Sequence, residues 1–438
     1  MESRVRVTCL CILLFLAMSL TVAVSAQEAG QSSLPMQEIT GVQPPNLTGS
    51  EPKPEDAAKA ILAAFDRYEI VGLSAAHGNQ DLDGFILNLL RNPSLPGKIN
   101  DVAVECGNSL YQPILDRYIA GEDVTLAEAR QAWRNTTQRM CGESGFYEQL
   151  FPLVRRINQK LPPEKRLRVV AGDPPIDWSK VKSQKDFAQF FDRDASIASV
   201  MQKEVLAKHR KALMLFGTFH LFHSTNSIPM GLQSAVQRYE KDYPGVTLVI
   251  ACHEGFGSWT PMAKYNNQWE ARMVFWPVPS LVVQMKGTWL AALLNATYST
   301  GAVVFVTKAG KDGKRESSSG PALESNKFST MADAYLYLGP RDLLLAEPEP
   351  AEVFLNKDYM AELQRRGHIT AWRPPAEQVS PDKAAEVDFN PFLYDSDEAE
   401  RTAILGRDPS PGKSMQALPL PGTPPSNPQP APKQKVQF

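Results

Sequence analysis

Short apolar runs alternate with amphipathic stretches of helical length between about Pro54 and Ala371. This alternation constrains the fold most, because it is typical of a layered α/β domain with a mostly parallel central sheet flanked by helices. Five runs are apolar or β-branched and long enough for buried strands: Glu69–Leu73, Asp101–Val104, Leu167–Ala171, Ala212–Phe216 and Val246–Ala251. Three later runs are expected to extend the sheet: Leu281–Met285, Ala302–Thr307 and Ala334–Leu338. The stretch Lys308–Gly320 is expected to be a solvated loop.

Both ends of the chain depart from this pattern. Met1–Val7 carries two arginines, an apolar run follows from Cys9 to Val24, and small residues precede an expected cut after Ala26. Residues 1–26 are therefore predicted to be a cleavable signal peptide; a retained anchor is less favoured because the apolar run is short for a membrane span. We expect an exported protein, periplasmic or secreted, with no membrane span after cleavage. Residues 27–55 are predicted to be a linker and the Pro-rich residues 396–438 a disordered tail, which leaves 56–395 as the α/β domain.

Composition narrows the class of protein further. Once the signal peptide is removed, Cys106, Cys141 and Cys252 remain, so at most one internal disulfide is expected. We favour Cys106 with Cys141, because the segment between them has the pattern of a helical excursion that could return to its start. The spacing does not resemble a zinc ribbon. A net charge of -2 gives no basic surplus for nucleic acid, so nucleic-acid binding is excluded.

Polar residues follow each of the five predicted strands, and four of the six histidines lie in these turns. In chain order, the residues are His77 and Gly78, then Glu105, then Asp173 and Asp177, then His220 and His223, then His253 and Glu254. Ligands bind at the carboxyl ends of strands in α/β sheets. We therefore expect these residues to converge on one crevice.

The residue types indicate two kinds of chemistry. His77 with Glu105 would make a general base, and His220 would be a second imidazole that protonates a leaving group or holds the substrate. The same three residues also suit a divalent metal such as zinc, manganese or iron, and sequence spacing does not separate the two options. Arg193, at the front of a helix predicted over Asp194–Lys211, is a candidate for binding an anionic group. Asp173, Asp177 and His253 are candidates for binding the substrate.

Other residues have plainer interpretations. His223 is expected to be a partly buried histidine bonded to the backbone, and His209 to be solvated on a helix. Four tryptophans are expected to pack in the core rather than to line an apolar pocket: Trp259, Trp269, Trp276 and Trp289. The absence of a Gly-x-Ser-x-Gly elbow or a phosphate loop from the sequence disfavours the usual serine hydrolases and nucleotide enzymes.

The order of the motifs resembles the erythromycin esterase, ChaN and Tiki superfamily. The resemblance runs from about Ile61 to Pro340 and rests on four motifs: His77-Gly78, Val104-Glu105, Arg193-Asp194 and Gly217-Thr218-Phe219-His220. Members include hydrolases that act on esters, metal-dependent peptidases and haem-binding lipoproteins. By matching motifs, the resemblance implies His77, Glu105, Arg193 and His220 as the site. It also implies cleavage of an ester or amide in a small-molecule or peptide ligand, or alternatively non-catalytic uptake of haem or metal.

One departure from the superfamily pattern affects the chemistry. Members commonly show Gly-Glu-x-His-Gly at the first strand end, whereas this chain reads Ser74-Ala75-Ala76-His77-Gly78. If the glutamate of that motif activates water or helps to bind metal, its absence from this chain would weaken the chemistry, unless Asp173 or Asp177 replaces it. An exported hydrolase remains the leading hypothesis. A binding protein and an inactive interaction scaffold are the alternatives.

Overall fold

The structure is a computed structural model, and it describes residues 47–75, 77–224, 233–254, 266–301, 305–309, 315–319, 327–347, 350, 353 and 355–370. The predicted signal peptide, most of the predicted linker, the predicted tail and Trp259 lie outside the described residues. Within the described part, no helix is both long and apolar enough to span a membrane.

Ten strands occur among the described residues. In chain order they are β1 Glu55–Asp56, β2 Ile70–Ser74, β3 Asp101–Asn108, β4 Arg168–Asp173, β5 Ala212–Phe216, β6 Thr247–Cys252, β7 Ser280–Val282, β8 Phe305–Ala309, β9 Arg315–Ser319 and β10 Ala334–Tyr337. Eight of them form one sheet in the order β1-β7-β10-β6-β2-β5-β3-β4. The six strands from β10 to β4 are parallel, whereas β7 runs antiparallel to β10 and β1 antiparallel to β7. The predicted α/β fold with a mostly parallel sheet is therefore confirmed.

Two predictions about the later strands are wrong. The run Ala302–Thr307 does not extend the main sheet, because β8 pairs with β9 in a separate two-stranded antiparallel sheet. The stretch Lys308–Gly320 is accordingly not a plain loop, since it contains β9. A short polar strand that pairs only with its sequence neighbour has no apolar run to reveal it.

Fourteen helices are described. They are α1 Ala57–Ala64, α2 Gln80–Arg91, α3 Gln112–Ala120, α4 Leu126–Arg134, α5 Arg139–Glu143, α6 Gly145–Gln159, α7 Gln184–Phe187, α8 Arg193–Glu204, α9 Thr218–Leu221, α10 Ala235–Tyr239, α11 Asn266–Glu270, α12 Trp289–Gly301, α13 Phe328–Met331 and α14 Lys357–Thr370.

The helices cover both faces of the sheet. On the first face, Leu213 and Leu215 of β5 pack with buried side chains of α2, α4 and α6. On the second face, Met214 and Phe216 of the same strand pack with side chains of α8, α10 and α12. Successive side chains of a strand point to opposite faces, so a strand covered on both sides must be apolar at every position. This explains why the central strands read as continuous apolar runs.

Helix α8 begins where its sequence provides a cap. Asp192 accepts a hydrogen bond from Ala195 N, which satisfies one of the unpaired N–H groups of the first turn. The helix places Arg193 in that first turn, beside the carboxyl edge of the sheet. It ends at Glu204, earlier than predicted, because the chain turns through a short 3-10 helix into His209 with φ 51°. His209 is exposed as predicted but does not lie within a helix.

The end of the predicted linker contacts the domain. Glu51 accepts hydrogen bonds from Trp289 Nε1 at 2.6 Å and from Arg272 Nη2 at 3.0 Å. Glu55 then begins β1 at the edge of the sheet. The described part of this segment, from residue 47, is therefore attached to the domain.

The three cysteines of the described chain behave as predicted. Cys106 and Cys141 form a disulfide, and Cys252 is a buried free thiol. Because Cys106 lies in β3 and Cys141 in α5, the bond ties the carboxyl half of β3 to the helices that cover the first face.

Candidate functional site

Four neighbouring parallel strands bring the predicted residues together. β2, β5, β3 and β4 are adjacent in the sheet, so their carboxyl ends lie side by side. His77 follows β2, Gly217 and His220 follow β5, and Asp173 is the last residue of β4. Glu105 lies within β3 rather than after it, because that strand continues to Asn108 with a register shift after Val104. The expected convergence at one edge of the sheet therefore occurs for these residues.

Glu105 is the centre of the cluster, and it is only 3% exposed. Its Oε1 accepts a hydrogen bond from Arg193 Nη2 at 2.9 Å, and its Oε2 accepts one from Gly217 N at 2.6 Å. His77 Nε2 lies 3.4 Å from the same Oε2. A Cβ at position 217 would lie 3.1 Å from Oε2, tighter than most real contacts, so glycine at 217 lets the backbone approach the carboxylate.

Arg193 connects three other members of the cluster. Besides its bond to Glu105, its Nε donates to Asp173 Oδ1 at 3.0 Å and its Nη1 lies 3.1 Å from His220 Nε2. Asp173 is held in turn by the Thr137 hydroxyl at 2.7 Å. Burial alone would lower the pKa of Arg193, but Glu105 and Asp173 outweigh it and the pKa is raised. The guanidinium is therefore a permanent positive charge between two carboxylates.

The neighbours of His220 determine which of its ring nitrogens carries a proton. Its Nδ1 lies 2.8 Å from Asp194 Oδ1, which also accepts a hydrogen bond from Ala235 N, so Nδ1 carries a proton and donates. Its Nε2 faces Arg193 and lies 3.5 Å from Glu105 Oε1. Burial lowers the pKa of His220, but Glu105 and Asp194 raise it more, to about 9. Nε2 is thus the atom that gains or loses a proton, accepting from Arg193 when neutral and facing Glu105 when protonated.

The positive charges around Glu105 keep it ionised. Burial acts to raise the pKa of this carboxyl group, but Arg193 and His220 bring it well below its ordinary value. Asp173 differs, because burial raises its pKa in spite of Arg193 and Thr137. Glu105 is therefore ionised at neutral pH, and its Oε2 is the carboxylate oxygen that lies 3.4 Å from His77 Nε2.

His77 is the most exposed member of the cluster, with 28% of its side chain accessible. It lies in the turn from β2 to α2, which needs Gly78 in the left-handed region at φ 83° and is closed by Asn79 as the cap of α2. Within the described part of the chain, Nε2 is the ring nitrogen with a partner and Nδ1 has none. His77 is therefore the imidazole that can meet a ligand.

Two predicted substrate-binding residues lie apart from the cluster. Asp177 accepts hydrogen bonds within its own turn, and the Ser179 hydroxyl lowers its pKa to about 2. His253 is fully buried, with Nδ1 2.7 Å from the Tyr335 hydroxyl and Nε2 2.8 Å from Glu270 Oε1. Asp177 and His253 follow strands as the site residues do, but their side chains are turned towards other partners.

His223 also serves the fold rather than the cluster. Its Nδ1 lies 2.8 Å from Glu240 Oε2 and its Nε2 lies 2.8 Å from Asp333 Oδ2. The side chain therefore bonds to two carboxylates, and the prediction that it bonds to the backbone is wrong. Burial lowers the pKa of His223, but Asp333 and Glu240 raise it to about 10. This imidazolium holds the segment after α9 against the start of β10.

Sequence reasoning missed two residues of the cluster. Asp194 orients His220, although its position beside Arg193 suggested only a favourable interaction with the helix dipole. Its adjacency to a candidate site residue was the available signal. Thr137 fixes Asp173 through its hydroxyl and its backbone N–H, and nothing in its sequence surroundings marks it.

The cluster does not fit the predicted metal. Among the residues that the structure describes, no group of three or more His, Cys, Asp or Glu side chains has the arrangement of a metal site. The guanidinium of Arg193 faces both Glu105 Oε1 and His220 Nε2, the atoms through which these two side chains would bind a metal. The Arg193 guanidinium already supplies a positive charge beside Glu105 and His220.

Several large apolar side chains are exposed on segments that are connected to the strands of the sheet. Large hydrophobic residues that are exposed in the described chain are Leu110, Phe191, Phe219, Val274, Phe275, Val278, Leu343, Leu345 and Leu355. Each lies in a segment that leaves the carboxyl end of a parallel strand or that enters the antiparallel β7. Phe219, 62% exposed, directly precedes His220. Trp269 and Trp289 are buried in the core, as predicted, and Trp276 packs against it.

Comparisons with known proteins show only distant structural likeness. No family model and no curated protein sequence matches the chain. A protein from Bacillus cereus is 11% identical and superposes with a TM-score of 0.41, over 68% of this chain and 96% of its own. A succinoglycan biosynthesis protein is 10% identical with a TM-score of 0.39, over 66% of this chain and 94% of its own. The type III effector HopBA1 is 11% identical with a TM-score of 0.29, over 47% of this chain and 88% of its own.

Proposed function

We propose that the chain is an exported hydrolase of the erythromycin esterase, ChaN and Tiki type that cleaves an ester or amide bond in an apolar small molecule or peptide. The observation that carries this proposal is the connected cluster of His77, Glu105, Arg193 and His220, with an ionised Glu105 at its centre. The arrangement favours acid–base chemistry over metal chemistry, since Arg193 already contacts both Glu105 and His220.

His77 is the general base in this mechanism. When Nε2 carries the proton and faces Glu105 Oε2, Nδ1 carries the free lone pair of the neutral ring. A water molecule gives one proton to Nδ1 as its oxygen forms a bond to the carbonyl carbon. The resulting imidazolium then gives this proton to the leaving alkoxide or amine as the bond between the leaving group and the carbonyl carbon breaks.

Arg193 and His220 supply positive charge beside the reacting group. The three nitrogens of the guanidinium contact Asp173, Glu105 and His220, and these contacts hold it in place during the reaction. Fixed positive charge in a water-poor position stabilises the oxyanion that forms on the carbonyl oxygen. The pair also keeps Glu105 ionised beside His77.

The exposed apolar side chains support an apolar substrate. Phe219 and Phe191 are 62% and 47% exposed and stand one and two positions before His220 and Arg193. Large exposed apolar side chains next to candidate site residues are consistent with a ligand-binding or interaction surface. A substrate with an apolar group next to the scissile bond would cover these rings while its carbonyl group meets His77.

Binding of haem without turnover is the second candidate function. Alanine at position 75 removes a carboxylate that the superfamily commonly carries, and His77 has one ring nitrogen without a partner among the described residues, which would bind the haem iron. The same exposed apolar side chains would then contact the porphyrin.

A panel of p-nitrophenyl esters and amides, assayed with the purified mature protein, tests the hydrolase. We expect hydrolysis that His77→Ala lowers by about 100-fold or more, as removal of a general base does. The matched control is His368→Gln, since His368 is an exposed histidine on α14. Haem absorbance without hydrolysis would favour the second candidate. A preparation with neither property would contradict both.

A further inference from the structure

The segment after β10 pairs with the turn that holds His77. Glu347 N donates a hydrogen bond to Gly78 O at 2.9 Å, and Gln80 N donates one to Leu345 O at 3.0 Å. The residues between these two bonds form an antiparallel bridge. The backbone directly after His77 is therefore held by a part of the chain that is distant in sequence.

The Glu347 side chain joins this segment to the amino end of α6. Its Oε1 accepts hydrogen bonds from the Ser144 hydroxyl and from Phe146 N, both at 2.7 Å. Phe146 N belongs to the first turn of α6, where N–H groups have no partner within the helix, and the Ser144 side chain does not cap them. A carboxylate is favoured there because it faces the positive end of the helix dipole. Glu347 therefore caps α6 from outside the helix.

The disulfide connects the same helical region to the strand of Glu105. Cys141 lies in α5, the helix that precedes α6, and its partner Cys106 directly follows Glu105 in β3. Glu105 Oε2 in turn lies 3.4 Å from His77 Nε2. The contacts thus form a closed ring, which runs from the His77 turn through Glu347, the start of α6 and the disulfide to Glu105 and back to His77.

We infer that Glu347 is a positioning residue, which sets the distance between His77 and Glu105 by tying the turn of the one to the helices that the disulfide joins to the other. The inference rests on the proposed function for its catalytic meaning, because only the hydrolase needs His77 as a base. Loss of the Glu347 carboxylate would leave the segment paired with the His77 turn but detached from α6. A displacement of about 1 Å in an active site can lower a rate by about 100-fold.

The imidazole nitrogen resonances of His77, recorded by NMR of labelled mature protein and assigned with His77→Gln, test the position of the ring. Glu347→Ala should shift them, because the ring moves relative to Glu105. Glu347→Gln should leave them near the wild-type values, since the amide oxygen still accepts both bonds. Ser144→Ala removes one of the two bonds and should give a smaller shift in the same direction, including where Glu347→Ala does not fold. The matched control is Glu164→Ala, at an exposed position on the amino side of β4, which should change nothing.

Activity provides a second measurement. If hydrolysis is found, Glu347→Ala should lower kcat by about 10-fold or more with little change in KM, because a general base acts in the transition state rather than in substrate binding. Glu347→Gln should retain the wild-type kcat. Cys141→Ser opens the same ring, so the two losses of kcat should be less than multiplicative when Cys141→Ser is combined with Glu347→Ala.

The two measurements separate the inference from the proposed function. Unchanged His77 resonances in both Glu347→Ala and Ser144→Ala would overturn the inference, whether or not hydrolysis is found. Shifted resonances with an unchanged kcat would overturn the positioning role. Shifted resonances in a protein without hydrolysis would instead remove the proposed function and leave the link between Glu347 and the His77–Glu105 pair in place.

Discussion

Arg193 Nη2 lies 2.9 Å from Glu105 Oε1, and the two side chains are only 13% and 4% exposed. The arginine reaches this carboxylate from the first turn of α8, whereas the glutamate belongs to β3, so the ion pair joins a helix on the second face to the sheet. A buried charge that loses its partner is far more costly than a broken surface pair, because water does not reach it.

Arg193→Met should therefore destabilise the domain strongly. The substitution leaves Glu105 and Asp173 buried without their shared cation, and breaking a buried pair costs about 3–5 kcal/mol. The free energy of unfolding in urea measures the loss. Arg117→Met is the matched control, since Arg117 pairs with Glu122 at an exposed position and should contribute less than about 1 kcal/mol. Equal effects of the two substitutions would contradict the account of Arg193.

His220 should make stability depend on pH. Its pKa is raised to about 9 in the folded chain from 6.5, so its contribution is fully present below about pH 6.5 and is lost as the pH rises through 9. The shift corresponds to a contribution on the order of 3 kcal/mol, since each unit is worth about 1.4 kcal/mol. Wild type and His220→Gln should thus differ in unfolding free energy more at pH 6 than at pH 10.

His223 provides a comparison for this pH dependence. Its pKa is about 10, so the stability that it contributes is lost at higher pH than that of His220. The difference between wild type and His223→Gln should persist at pH 9, where the difference for His220→Gln has already declined. Curves of the same shape for both variants would show that the two histidines are not separated in this way.

The Cys106–Cys141 disulfide should matter for both stability and the site. It closes a loop of 35 residues, for which about 3–4 kcal/mol of stabilisation is expected, and Cys106 is adjacent to Glu105. Cys141→Ser should lower the unfolding free energy by about that amount and reduce ligand binding or hydrolysis. Thiol titration of the denatured, unreduced mature protein should find one free thiol, that of Cys252. Three free thiols would contradict the assignment.

The ends of the chain remain predictions that mass spectrometry and truncation can test. Exported material should begin at or near Gln27, and removal of everything after about Gly406 should leave the melting temperature unchanged, because a Pro-rich tail cannot contribute to a core. An uncut N-terminus in exported material would contradict the signal peptide. A fall of several degrees on truncation would show that the tail packs on the domain.

The sequence by itself determined the layered α/β architecture and the position of most strands. This was possible because a strand buried on both faces must be a continuous apolar run, as in β5 and β6, and such runs are visible without any knowledge of the partners. The order of polar residues after these runs also predicted that His77, Glu105 and His220 would meet, since the ends of neighbouring parallel strands share an edge. Polar β9 has no such signature and was missed.

Only the tertiary structure decided which of the residues after the strands belong to the site. His220 and His253 both follow apolar strands, yet one joins Glu105 while the other is buried between Tyr335 and Glu270. The direction of a side chain beyond a strand depends on how the following segment packs, and that packing involves residues far away in sequence. For the same reason the sequence identified Arg193 as a candidate but did not show that it is the cation between Glu105, Asp173 and His220.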